Sequence, residues 1–151
     1  MTMPDYDRFF QDYVDFYNLA LAGKPVIDDL CACYAEHIVS ASAGEVMGGQ
    51  NGPDYGGVLE NGFAFYRSIG VRHMRLRKVD VREIMDGHDA ARVFFTAEIE
   101  RRDGSPLSLD FDVVYLLQRR DSGPKIFAFM SEDEMALFHR NGLVDGQGNP
   151  V

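Results

Sequence analysis

Apolar side chains over residues 5–22 recur at Phe9, Phe10, Tyr13, Phe16, Tyr17, Ala20 and Leu21. That i, i+3, i+4, i+7 spacing predicts an amphipathic helix with a broad buried face. Gly23 stands where a helix end favours a left-handed residue. Pro25 can open a second helix, over about 25–36, that buries Val26, Ile27, Leu30 and Tyr34. The pattern then changes: HIVSASAGEVMGG is β-branched and small, and predicts a short strand running into glycines. Residues 53–69 predict a third helix, weakened by Gly56, Gly57 and Gly62 and closed by Gly70. Beyond it the period falls to two, giving strands at about 71–85, 90–102, 107–120 and 124–131. The turns between them, D-G-H-D at 86–89, R-D-G-S at 102–105 and R-D-S-G-P at 120–124, have hairpin chemistry. Alternation slips near Lys78–Val79, which predicts a bulge. Ser131-Glu132-Asp133-Glu134 reads as a capping box, with Ser131 as N-cap, opening a last helix through Met135, Leu137 and Phe138. The helix ends at Asn141-Gly142, and the tail LVDGQGNPV is expected to be loose. Helices followed by long strands give an α+β domain, with its helices on one face of a curved antiparallel sheet. Residues 1–151 form one domain in this reading, with an ordered core over about 5–142.

Composition narrows the function classes. The chain is 46% hydrophobic and 26% charged, ordinary for a soluble protein of 151 residues. No stretch approaches the roughly 20 apolar residues of a membrane span, and the acidic start MTMPDYD lacks a signal peptide's basic region. A net charge of −9 argues against nucleic acid, whose binding rests on Lys and Arg. The local exception, Arg72, Arg75, Arg77, Lys78 and Arg82, alternates with Met74, Leu76, Val79 and Val81 as a solvated strand face does. Cys31 and Cys33 lie two apart in a helical segment and point to different sides, so reduced buried thiols and a cytoplasmic setting are expected. His37, His73, His88 and His139 are scattered singly, and neither a metal site nor a cofactor is expected.

The segment SLDFDVVYLL, residues 108–117, carries two aspartates in a strand. Alternation puts Leu109, Phe111, Val113, Tyr115 and Leu117 on one face, as a pocket lining or core requires. Asp110 and Asp112 share the other face. Two carboxylates about 7 Å apart repel if buried together, so both belong outside, with Arg92, Arg101 or Arg102 as cross-strand partners.

Several segments together resemble the nuclear transport factor 2-like superfamily, which includes ketosteroid isomerases, scytalone dehydratase and polyketide (SnoaL-like) cyclases. They are the aromatic first helix closing on Leu21-Ala22-Gly23, the second helix ending in Cys33-Tyr34-Ala35-Glu36-His37, and the strand after it. Phe63-Ala64-Phe65-Tyr66 in the third helix and Ile126-Phe127-Ala128-Phe129-Met130-Ser131 in the last strand complete the set, over roughly 5–140. The resemblance implies a cystatin-like cone whose sheet and three helices from the N-terminal half enclose a blind pocket. It also implies a homodimer through the outer sheet face, and a small apolar or mildly polar ligand.

Isomerases of this superfamily use an Asp general base at the end of the first strand, with a phenol and a protonated Asp as oxyanion donors. Counted from the Tyr34–His37 match, that Asp falls at or next to Ser42, and no carboxylate appears before Glu45. A serine hydroxyl cannot take a proton from a carbon acid, so the isomerase base is expected to be missing. Glu45 is either its substitute in a slipped register or a solvated loop carboxylate. The resemblance offers Tyr17 and Tyr13 as donors to a bound carbonyl, the alternative being core tyrosines with backbone partners. Tyr115 falls near the second donor position, and His73 has a counterpart in the pocket histidines of scytalone dehydratases. His37, near the second helix's end, reads as structural. Tyr17, His73 and Tyr115 are therefore the catalytic candidates. The expected ligand-binding residues add Tyr13, Phe16, Ser42, Met47, Tyr66, Phe111 and Met130, with Met74 as another soft wall. The function expected is binding of a small molecule in an apolar pocket. The alternative is a cofactor-independent isomerase, dehydratase or cyclase working on a small carbonyl or cyclic substrate through Tyr and His groups.

Overall fold

The computed structural model describes residues 2–151. Helix α1 (Tyr6–Leu21) starts at Asp5, whose carboxylate accepts from the Arg8 N–H at 3.0 Å. It closes as its spacing predicts: Gly23 takes φ +80°, and the Lys24 N–H reaches back to the Leu19 carbonyl at 2.9 Å. Helix α2 (Ile27–Cys31) is only five residues long, shorter than expected. Tyr34-Ala35-Glu36-His37 is not the end of a helix but the start of strand β1 (Tyr34–Ser42). There, pairing in the sheet wins over helix continuation: the Ile126 N–H donates to the Cys33 carbonyl, and Tyr34 and Ile38 are buried.

The expected single strand after α2 is a hairpin. Ala43 and Gly44, at φ 49° and 79°, turn β1 into β2 (Glu45–Gln50) with the two left-handed residues a tight hairpin demands. Helix α3 (Pro53–Ser68) follows with proline at its first turn. Then come β3 (Val71–Met85), β4 (His88–Glu100), β5 (Pro106–Gln118), β6 (Lys125–Ser131) and helix α4 (Glu134–Arg140). Gly70 joins α3 to β3 at φ +95°, and a Cβ there would meet the Glu100 carbonyl oxygen at 2.1 Å, so only glycine fits.

The six strands form one sheet in the order β2-β1-β6-β5-β4-β3. It is antiparallel except that β1 and β6 run parallel, a departure from the wholly antiparallel expectation. The bulge expected near Lys78–Val79 falls between Leu76 and Lys78. A second, unexpected shift lies between Val71 and His73. The core fills the space between α1 and the inner sheet face, where Phe10 sits 4.9 Å from the Tyr115 ring. The tail is not loose. Leu143 and Val144 are buried, Val144 bridges to Pro150, and the Val151 N–H donates to Leu143. Two apolar side chains at its start are what hold it.

The capping box is also displaced. Ser131 is still in β6, paired with Ser42 and Val113, and Asp133 is the N-cap, accepting from the Ala136 N–H at 3.0 Å. Glu134 is thereby the first residue of α4 rather than the closing member of a capping box.

Candidate functional site

Between the inner sheet face and helices α1, α3 and α4 lies a cavity of about 300 Å3. Phe63, Phe95, Phe111, Phe129 and Phe138 supply much of its wall, with Leu59, Leu109, Leu137 and Met74 between them. Its exposed members, Val58 on α3 and Glu132–Asp133 before α4, mark the mouth.

Six of the chain's seven tyrosines line this space: Tyr13 and Tyr17 from α1, Tyr34 from β1, Tyr55 and Tyr66 from α3, and Tyr115 from β5. The Tyr13 and Tyr34 hydroxyls lie 2.8 Å apart. Tyr17 packs edge-on to Phe63 at 4.7 Å and stacks with Tyr66 at 6.1 Å. Burial pushes all six phenols above their ordinary range, Tyr17, Tyr34, Tyr66 and Tyr115 furthest. They stay protonated at any physiological pH and so act as hydrogen-bond donors and acceptors, never as bases.

Glu134, at the first position of α4, is the ionisable group of the cavity that sequence reasoning missed. Burial raises its carboxyl above the ordinary carboxylate value, while a hydrogen bond from the Tyr66 phenol draws it back. The Tyr66 phenol is itself raised by burial first and by the Glu134 charge second. A signal existed in the sequence: Glu134, Leu137 and Phe138 lie at i, i+3 and i+4 on one helix face. An acid on an apolar stripe must face the interior or break the stripe. Tyr34 and Tyr55 were missed as well, Tyr34 because its strand was read as helix.

Of the residues expected in the pocket, Tyr13, Tyr17, Tyr66, Phe111 and Tyr115 are on the cavity wall, and so is Met74. The other five are elsewhere. His73 is exposed on β3 opposite Glu98, because the register shift after Val71 turns it outward and Met74 inward. Ser42 donates to the Glu132 carbonyl at 3.0 Å and fastens the segment entering α4. Met47 is exposed on the edge strand β2, and Met130 is exposed on β6. Phe16 is half-buried against the core, outside the cavity. Glu45 is exposed at the start of β2.

The paired aspartates of β5 both have polar partners on neighbouring strands. Arg92 holds Asp112 at 2.6 Å, and Asp110 accepts from Thr96 at 2.6 Å with Arg77 at 3.6 Å. Asp112 borders the cavity between Phe111 and Val113, but its carboxylate is engaged by Arg92. On the same outer face Arg77, Lys78 and Arg92 stand 5.4–5.9 Å from the Phe94 ring, so the basic patch of β3 is partly spent covering an aromatic.

The comparisons with known proteins agree with this architecture. The protein Aln2 from a Streptomyces species superposes with a TM-score of 0.62 at 17% identity, over 93% of this chain and 99% of that one. An NTF2-like protein with a cystatin-like fold from Novosphingobium aromaticivorans gives 0.62 at 15%, over 83% and 77%. A ketosteroid isomerase-like protein from Erwinia carotovora atroseptica gives 0.55 at 14%, over 80% and 86%. Identities this low speak for the fold alone. No curated protein matches the sequence. The family model described as "NTF2-like protein (DUF6841)" matches residues 4–134, and the chain belongs to that family.

Proposed function

We propose that the protein binds a small molecule with an apolar body in the tyrosine-lined cavity. The observation that carries this reading is the convergence of six phenols on an aromatic space of about 300 Å3. Such a space buries a one- or two-ring ligand, and the phenols give it direction through hydrogen bonds. A filled-cavity variant tests it. Ala97→Leu puts three extra carbons on the wall, so ligands that raise the wild-type melting temperature should lose that effect while the variant stays folded. A ligand at about 100 times its dissociation constant adds roughly 2.7 kcal/mol to the wild type. Equal stabilisation of both proteins would sink the proposal.

Glu134 favours a second reading, an isomerase- or dehydratase-type enzyme. A carboxyl with a raised pKa beside the Tyr66 phenol, in a cavity lined by further phenols, is an arrangement that proton transfer beside a carbonyl can use. Here the base would come from α4, since the Ser42 position carries only a hydroxyl bound to backbone.

The outer sheet face supports the homodimer expectation. Val46, Ala41, Met130 and Val114 run across β2, β1, β6 and β5 in register, beside Val39, Ala128 and Leu116. Val39, Val46 and Met130 are exposed. Sedimentation equilibrium of wild type and Met130→Glu tests it: a dimer that the charge splits is expected, and a wild-type monomer would refute it. Among the described residues, no helix is long and apolar enough to cross a membrane. The free thiols Cys31 and Cys33 are consistent with a cytoplasmic setting.

A further inference from the structure

We infer that the cavity is built for a ligand that carries a protonated amine on an apolar body, with the ammonium group seated at Glu134. This rests on the binding reading above and names the chemical class that reading leaves open.

The argument is one of charge. Among the described residues no Lys, Arg or His lines the cavity, whereas four acids do: Asp112, Glu132, Asp133 and Glu134. Two of these are already occupied, Asp112 by Arg92 and Asp133 by the Ala136 N–H. Glu132 is exposed at the mouth. Glu134 is the acid set into the aromatic wall, and its partner is a neutral phenol. A half-buried carboxylate on an apolar wall is costly without a cation, and the lining side chains supply none. A ligand ammonium would provide it. The same cation gains from the π faces around it, among them the stacked Tyr17 and Tyr66 rings, and from phenol oxygens able to accept its N–H groups.

The same charges reject other ligands. A carboxylate or phosphate ester would add a negative group beside Glu132, Asp133 and Glu134, in a chain of net charge −9. No cationic lining side chain offsets it. A neutral alcohol or ketone of the same shape keeps the apolar contacts but brings Glu134 no counter-charge.

Three probes of matched shape separate these cases by calorimetry: 2-phenylethylamine, 2-phenylethanol and 3-phenylpropanoate. The amine is expected to bind roughly tenfold or more tightly than the alcohol, and the acid more weakly than either. Glu134→Gln should erase the amine's advantage over the alcohol. Glu132→Lys, an exposed change that spares the wall, should weaken the amine and favour the acid. An alcohol that binds as well as the amine overturns the inference but keeps the binding reading, and so does an amine preference that survives Glu134→Gln. Absence of binding by all three at millimolar concentration overturns both.

Discussion

Two carboxyl–phenol pairs in this molecule are held in opposite states. Where α1 begins, Tyr6 donates to Asp89 at 2.6 Å; at the cavity, Tyr66 faces Glu134. Asp89 is fully buried, Glu134 half-buried, and both meet a tyrosine. Yet Asp89 lies below the ordinary carboxylate value, and Glu134 lies above it. The difference is a guanidinium. Arg119 grips both Asp89 oxygens, at 2.8 and 2.6 Å, and reaches Glu83 at 2.7 Å. With a bidentate cation in place, the cost of burying Asp89 is offset inside the fold. Among the described residues no cationic side chain lines the wall around Glu134, so burial dominates. One pair is a finished structural device; the other is half of one, open to whatever enters the cavity.

Stability measurements in urea should rank the two pairs. Asp89→Asn has the largest expected effect, a loss of about 3 kcal/mol. It removes the charge opposite Arg119 and turns one of the two acceptor oxygens shared by Arg119 and Tyr6 into an amide donor. Half-exposed Glu83 is left as the carboxylate partner of Arg119 among the described residues. Tyr6→Phe comes next at about 2 kcal/mol, because it removes a hydrogen bond to an ionised group from a buried site. Tyr66→Phe should cost only about 0.5 kcal/mol, since Glu134 keeps part of its surface in solvent, where water can replace the phenol, whereas Asp89 has none. A cost for Tyr66→Phe that matches or exceeds that of Tyr6→Phe would erase the distinction.

The same two pairs show what could be read from the sequence. Period-two alternation placed Asp110 outside the cavity and Phe111 and Tyr115 on its wall, because it depends only on backbone geometry. Asp112, expected outside with Asp110, pairs with Arg92 and also borders the cavity. α1, α3 and the four long strands were legible for the same reason. Alternation fails where a residue is inserted. The shift at Arg72 turned His73 out of the pocket, and nothing in the local composition marks it. It also fails at boundaries. Asp89 was read as part of the D-G-H-D turn, but β4 starts at His88 and directs Asp89 inward with Ala91, Val93 and Phe95. Glu134 was hidden by a capping box displaced by two residues. Met47 and Met130 were assigned by softness rather than by strand face, and the register puts both outside. Charged groups at element ends are thus the least legible, because one or two residues decide whether they cap, solvate or point inward.

The smallest expected effect is the most specific, since it depends on the sign of each pKa shift. Asp89 is depressed in the folded state, so the stability it contributes is present above the unfolded value near 3.8 and is lost as pH falls through its lower folded value. Glu134 is raised, so the sign reverses. Its contribution is whole below the unfolded value near 4.5 and is lost as pH rises through the folded value. Unfolding free energy followed from acid to neutral pH therefore contains two opposed slopes. Asp89→Asn should flatten the rise at the acid end, and Glu134→Gln should remove a shallow decline above it. Glu134→Gln should then gain on wild type as pH rises through the folded value of Glu134, because the variant has no carboxyl to ionise beside the cavity wall. Should a bound amine supply that cation, the decline ought to vanish in wild type and leave the glutamine variant untouched. A decline that persists in Glu134→Gln would assign the slope to another group and remove the cavity acid from the comparison.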